Sequence, residues 1–85
     1  MQYKTARAKL IKAFGEKVID NCVEVRIHGT KTALSVKKNV RDDTVMMIAV
    51  RDLKDPDRPE VDHFTTEYFH NMKAAIKFYN FCEAL

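Results

Sequence analysis

The side chains in this sequence that can transfer protons near neutral pH are few and scattered. The candidates for general acid and base are His28, His63, His70, Glu67 and the three tyrosines. His63 and Glu67 are four residues apart in a segment with the alternation of a strand, which places them on one face but about 13 Å apart. His28 follows Arg26 on the polar side of another strand pattern, where a solvated histidine is expected. We therefore predict no enzymatic activity, with a small ribonuclease that uses histidine, arginine and glutamate as an alternative.

The cysteines and the acidic residues do not have the spacing of a metal site. Cys22 and Cys82 are far apart in the sequence, whereas structural zinc needs about four closely spaced ligands. The acidic stretch 52–62 has prolines where an EF-hand loop needs a turn glycine, so a rigid solvated connector is expected there. We predict no metal and no cofactor, and we expect the two cysteines to be buried thiols in a reducing compartment.

Positive charge is concentrated in the first half of the chain. The net charge is +3, yet residues 1–41 carry +7 and residues 42–85 carry −4. A cationic surface displaces counterions from a phosphate backbone, whereas the sequence lacks the strand motif and the Gly-X-X-Gly loop of common RNA-binding domains. We therefore predict binding to the backbone of RNA or DNA, with ordinary solvated charge as the alternative. The predicted nucleic-acid-binding residues are Lys4, Arg7, Lys9, Lys12, Arg26, His28, Lys37, Lys38 and Arg41.

A lysine-rich domain of 85 residues without an enzyme motif resembles the small early proteins of T-even bacteriophages, which divert or inhibit host factors. Within that group the chain is similar in size and charge to the inhibitors of the ToxN ribonuclease toxin. The resemblance implies an anti-defence protein that binds a toxin together with RNA in the host cytoplasm. It extends loosely over the whole chain and assigns no role to an individual residue.

Two helices are predicted from hydrophobic periodicity, one at each end of the chain. Apolar residues at three- and four-residue steps predict a helix from Thr5 to about Asn21, in which Gly15 is a candidate for a break or a kink. His70 and Asn71 can cap a final helix that continues to the C-terminus. Both helices therefore flank a central region of different periodicity.

That central region has the period of two that is typical of strands. Segments 23–28 and 32–37 predict a hairpin, and segments 44–51 and 61–69 predict two further strands. The segment 44–51 is apolar on both faces, which predicts a central position with both faces covered. The expected fold is one α+β domain in the order α-β-β-β-β-α, with a four-stranded antiparallel sheet and both helices packed on one of its faces.

The apolar surface is larger than a domain of this size is expected to bury. Folding of so short a chain removes only about 60–65% of its surface from water, and the final helix is apolar around most of its circumference. A second copy is therefore expected to cover part of this surface. The predicted homodimer interface consists of Val45, Met47, Phe78, Phe81 and Leu85.

Three functions remain open from the sequence. The leading interpretation is a binding module that engages RNA or DNA through one surface formed by the basic helix and the hairpin, as an accessory or inhibitor of a nucleic-acid enzyme. The second is a pure protein-interaction module that inhibits a host protein or toxin, and the third is the small ribonuclease. The lack of an apolar leader and of a membrane-length apolar run predicts a cytoplasmic protein that does not bind membranes.

Overall fold

The computed structural model describes residues 1–16, 23–53 and 64–85. The elements in these ranges are α1 Tyr3–Phe14, β1 Glu24–His28, β2 Thr32–Lys38, β3 Val45–Leu53, β4 Phe64–Tyr68 and α2 Met72–Ala84. The strands form one antiparallel sheet in the order β1-β2-β3-β4, which confirms the predicted α+β architecture. β3 pairs with both β2 and β4, so it has the central position that its apolar sequence indicates. The expectation that both of its faces are covered is not met within the described residues, because both helices pack on one face of the sheet.

Helix α1 ends earlier than the sequence pattern predicts. The residues that it buries recur at three- and four-residue steps, as an amphipathic helix requires, and are Tyr3, Ala6 and Leu10. Gly15 ends the helix because its φ of 93° lies in the left-handed region, which glycine adopts without a steric penalty. The break that the sequence allowed at Gly15 is therefore present, and α1 does not continue through it. Residues 17–22, Cys22 among them, lie outside the described residues.

Both helices pack on the same face of the sheet, as predicted. On that face β1, β2 and β3 present alternate aliphatic side chains, and the helices cover them. The rings of Phe14 and Tyr79 meet edge to face with 5.1 Å between their centroids, so the two helices also contact each other. The core consists of Tyr3, Ala6, Leu10, Val25, Ile27, Leu34, Val36, Ile48, Val50, Met72, Ala75 and Tyr79.

A β-bulge in β3 changes which of its residues share a face. Met47 pairs with Lys37 and Val45 pairs with Lys38, so Met46 is an extra residue on the β3 side. The extra residue reverses the alternation, and Val45 packs against the core while Met46 is 61% exposed. Val45 and Met47, which the predicted homodimer interface groups together, therefore lie on opposite faces of the sheet.

Helix α2 begins at the predicted cap and presents part of its apolar surface to solvent. The side chain of Asn71 accepts a hydrogen bond from a backbone N–H of the first turn at 2.8 Å. Phe78 is partly buried, with its ring centroid 5.4 Å from that of Phe69. Phe81 and Leu85 are 62% and 77% exposed. These two residues are accessible to a second copy, whereas Phe78 packs against the monomer's own core, and the homodimer stays a prediction.

The turn between β1 and β2 is fixed by a carboxylate from α2, an arrangement that we call the Glu83 latch. Gly29 leaves room for it, because a Cβ at this position would collide with the carboxylate of Glu83 and the hydroxyl of Tyr79. Partial burial raises the pKa of Glu83, but the hydrogen bonds outweigh it and hold that pKa below its usual value. The donors are the backbone N–H groups of Thr30, Lys31 and Thr32, at 2.8, 2.7 and 2.8 Å, and the hydroxyl of Thr32 at 2.8 Å.

Candidate nucleic-acid interface

The face of the sheet opposite the helices combines cations, an exposed aromatic ring and small side chains at its centre. No helix packs on it in the part of the chain that the structure describes, and we call it the open face. The short side chains of Ala33, Ser35 and Ala49 are buried at its centre. Rows of its residues across the strands include His28, Ala33, Arg51 and Thr66; then Arg26, Ser35, Ala49 and Tyr68; then Glu24, Lys37 and Met47.

The guanidinium of Arg26 is held on the open face by Glu24. Its Nε and Nη2 donate to the two carboxylate oxygens at 2.8 and 3.1 Å. The hydroxyl of Ser35 donates to the same carboxylate at 2.6 Å. The hydrogen bond from Arg26 is the main reason that the pKa of Glu24 lies below its usual value, although burial acts in the opposite direction. Because Glu24 engages only the Nε–Nη2 edge, the Nη1–Nη2 edge of a half-exposed arginine is left for a phosphate.

Tyr68 supplies the exposed ring of the open face. It is the last residue of β4, it pairs with Ala49, and it is 66% exposed. Arg51 pairs with Thr66 and is therefore the diagonal neighbour of Tyr68 across the two strands. An exposed ring on the same face as arginine residues is a combination to which unpaired nucleobases can bind by stacking.

The predicted nucleic-acid-binding residues are divided between two sides of the sheet. Lys38 turns toward the helix side, where its Nζ lies 3.1 Å from the carboxylate of Asp43 and 5.9 Å from the centroid of the Tyr3 ring. The open face carries Arg26, His28 and Lys37. The helix layer on the other side carries Lys4, Arg7, Lys9 and Lys12. The expected single surface of basic helix and hairpin is thus replaced by two surfaces, because α1 packs on the face opposite the polar residues of β1.

Two of the lysines on α1 form a separate cationic surface with α2. Lys9 and Lys12 line a groove of about 470 Å³ together with Lys73, and Ala13 and Ile76 complete its lining. Of the residues that line it, none is acidic. We call this the helix groove, and it lies on the side of the sheet away from the open face.

Arg41 lies in a different groove, of about 490 Å³, at the end of the open face. Lys37 belongs both to this groove and to the last row of the open face. Its apolar lining comes from Val23, Val40 and Met46, which are 57%, 77% and 61% exposed. We call it the end groove.

Three residues of these surfaces were missed by sequence reasoning, namely Tyr68, Arg51 and Lys73. All three belong to the half of the chain with net negative charge, so a charge count by halves hides them. The signal for Tyr68 was present, because alternation along β4 places it on the same face as Thr66, away from the core.

No protein family, no curated protein and no solved structure matches this chain. Its function is therefore argued from geometry. No helix in the described ranges is long and apolar enough to cross a membrane. The described residues also contain no group of three His, Cys, Asp or Glu side chains placed to hold a metal ion.

Proposed function

We propose that this protein binds single-stranded RNA or DNA on the open face and catalyses no reaction there. One observation carries the proposal: the exposed ring of Tyr68 and the oriented guanidinium of Arg26 lie in one row of the sheet. Bases stack on exposed aromatic rings, and arginine both binds phosphate and stacks on bases. Such contacts tolerate any base sequence, which agrees with the predicted recognition of the backbone.

The shape of the open face favours a single strand over a duplex. Neighbouring strands are about 4.8 Å apart, so the backbones of Arg26 and Tyr68 are separated by about 14 Å. The major groove of B-form DNA is about 12 Å wide and admits a helix or a two-stranded ribbon, not a four-stranded sheet. A flat face of this width suits a short single-strand site, of about four nucleotides.

The state of Glu24 supports binding rather than acid–base catalysis. Its pKa is lowered by the hydrogen bond from Arg26, so it is ionised at neutral pH and is a poor general acid. Its two oxygens already accept hydrogen bonds from Arg26 and Ser35. The carboxylate thus positions the arginine. The resemblance to early bacteriophage proteins implies an accessory or inhibitor role. Such a role would depend on single-stranded nucleic acid bound next to Arg26 on the open face.

The helix groove provides a control of equal charge for this proposal. The molecule measures 38 × 24 × 23 Å, so a strand of a few nucleotides on the open face does not reach the opposite side. The double variant Arg26→Gln with Lys37→Gln removes two charges from the open face. The double variant Lys9→Gln with Lys12→Gln removes two charges from the helix groove.

The experiment is fluorescence anisotropy with labelled oligo-U and oligo-A of about four nucleotides, at about 50 to 200 mM salt. We expect the open-face double variant to weaken binding and to flatten the slope of log affinity against log salt by about 1.4, or 0.7 for each lost phosphate contact. We expect the helix-groove double variant to leave affinity within about twofold, because short strands do not reach it.

A substitution of Tyr68 separates stacking from charge. Tyr68→Leu should weaken binding by about 5- to 150-fold, which corresponds to one stacked base, while Tyr68→Phe should retain it. The salt slope should not change, because no cation is removed. Equal losses in the two double variants would assign binding to net charge and would refute the open face. The absence of binding at the lowest salt would refute nucleic-acid binding altogether.

A further inference from the structure

The end groove gathers exposed aliphatic side chains that the proposed nucleic-acid contacts do not use. Val23 precedes β1, Val40 lies in the connection between β2 and β3, and Met46 is the bulge residue of β3. All three are more than half exposed. Exposed aliphatic side chains that share one groove indicate a surface for another molecule, since scattered single ones need no explanation.

The charged side chains around the end groove indicate the charge of the molecule that would bind there. Lys38 is paired with Asp43, and Glu24 is engaged by Arg26. No carboxylate forms an ion pair with the side chain of Lys37 or of Arg41 among the residues that the structure describes. Lys37 and Arg41 can therefore form ion pairs with a negatively charged ligand, next to the apolar side chains of the groove.

We infer that the end groove binds a segment of a partner protein that combines acidic and aliphatic side chains. Carboxylates of the segment pair with Lys37 and Arg41, and its aliphatic side chains pack against Val40 and Met46. This partner would compete with nucleic acid for Lys37, and the inference does not depend on binding at the open face.

The other occupants fit the end groove less well. A nucleobase prefers an aromatic or arginine surface for stacking, whereas the apolar lining here consists of valine and methionine. A second copy that docked through the same groove would bring together two linings that each carry Lys37, Lys38 and Arg41 against one carboxylate, and like charges across an interface are unfavourable.

The test is titration of the full chain with labelled synthetic peptides, followed by anisotropy. The probe alternates Glu and Leu, a second peptide alternates Glu and Ser, and a third alternates Lys and Leu. We expect the Glu–Leu peptide to bind and the other two to bind at least tenfold more weakly. Equal binding of the Glu–Ser peptide, or no binding of the Glu–Leu peptide at millimolar concentration, would overturn the inference.

Variants locate the binding site of the Glu–Leu peptide. Val40→Ser with Met46→Ser should weaken it at least tenfold, while Phe81→Ser with Leu85→Ser, which removes equally exposed apolar side chains from α2, should leave it within twofold. Both double variants should retain cooperative unfolding, because the side chains removed are mostly exposed. Equal losses of affinity for the Glu–Leu peptide in the two double variants would contradict the inference.

Two further outcomes would assign the groove to another occupant. Loss of oligonucleotide binding in the Val40→Ser/Met46→Ser variant, without loss of peptide binding, would assign it to nucleic acid. A dimer in light scattering that this variant alone converts to a monomer would assign it to a second copy. Either result overturns the inference of an acidic protein partner.

Discussion

Removal of the Glu83 carboxylate tests whether the latch between α2 and the β1–β2 turn stabilises the fold. Glu83 lies in the last turn of α2 and receives hydrogen bonds from residues about fifty positions earlier in the chain. We compare Glu83→Ala and Glu83→Gln with Glu67→Ala, which removes an exposed carboxylate from β4. Only the first two variants disturb the latch.

The expected loss of stability follows from which donors are buried. Thr32 is fully buried while Glu83 is in place, so its N–H and hydroxyl lose a charged acceptor in the variant, at roughly 1 to 1.5 kcal/mol each. Thr30 and Lys31 are exposed, and their N–H groups recover hydrogen bonds from solvent, which leaves a few tenths of a kcal/mol each after screening. We therefore expect Glu83→Ala to cost about 3 kcal/mol and Glu83→Gln, which keeps one acceptor oxygen, about 1 to 2 kcal/mol.

Urea denaturation followed by circular dichroism measures this difference. Glu83→Ala should lower the midpoint without changing the m-value, and the melting temperature should fall by about 12 to 24 °C for a domain of this size. Glu67→Ala should change the free energy of unfolding by less than about 0.5 kcal/mol. If Glu83→Ala costs no more than Glu67→Ala, the hydrogen bonds of the latch contribute nothing and the reasoning is wrong.

The pH dependence provides a second check on the latch. The pKa of Glu83 in the folded state lies below its ordinary value of 4.5, because the latch hydrogen bonds outweigh the effect of burial. The stabilisation is therefore complete above the unfolded-state pKa and is lost as pH falls through the folded-state pKa. The stability difference between the native chain and Glu83→Gln should be constant from about pH 6 to pH 8 and should narrow below about pH 4.5. A difference that widens in acid would contradict this assignment.

Three further substitutions test the fold around the site. Gly29→Ala should cost about 1 to 3 kcal/mol because the new Cβ meets Glu83 and Tyr79, and the cost should shrink in a Glu83→Ala background, as a double-mutant cycle would show. Asn71→Ala should lower the free energy of unfolding by about 1 kcal/mol through loss of the α2 cap. Asn71→Ser should retain most of the stability, because serine also caps helices. Leu34→Ala should cost about 2 to 5 kcal/mol in the same assay, because Leu34 is fully buried at the centre of the core.

The two halves of the sequence differ in charge, but the folded protein does not separate them. Lys37 on β2 and Arg51 on β3 come from different halves and lie on the same face of the sheet. Lys73 from the second half joins Lys9 and Lys12 from the first in the helix groove. Charge counted along the chain therefore locates neither cationic surface, because strand pairing and helix packing bring distant segments together.

Periodicity in the sequence was sufficient to determine the order and type of the elements. The change from three- and four-residue steps to a period of two near Val23 marks the start of β1, and the polar Asn71 before an apolar stripe marks the start of α2. These patterns show which side chains of a helix or strand are buried, and they can be identified within each segment alone. The antiparallel sheet with both helices on one face followed from them.

Tertiary structure alone decided where the functional side chains meet. The bulge at Met46 depends on how β3 aligns with β2, so no pattern within β3 reveals that Val45 and Met47 face opposite sides. The end of α1 depends on Gly15 adopting a positive φ instead of continuing the helical phase. Periodicity predicts both helices on one face, but only the register of the sheet shows that Arg26, His28 and Lys37 lie on the opposite face, away from the basic helix α1.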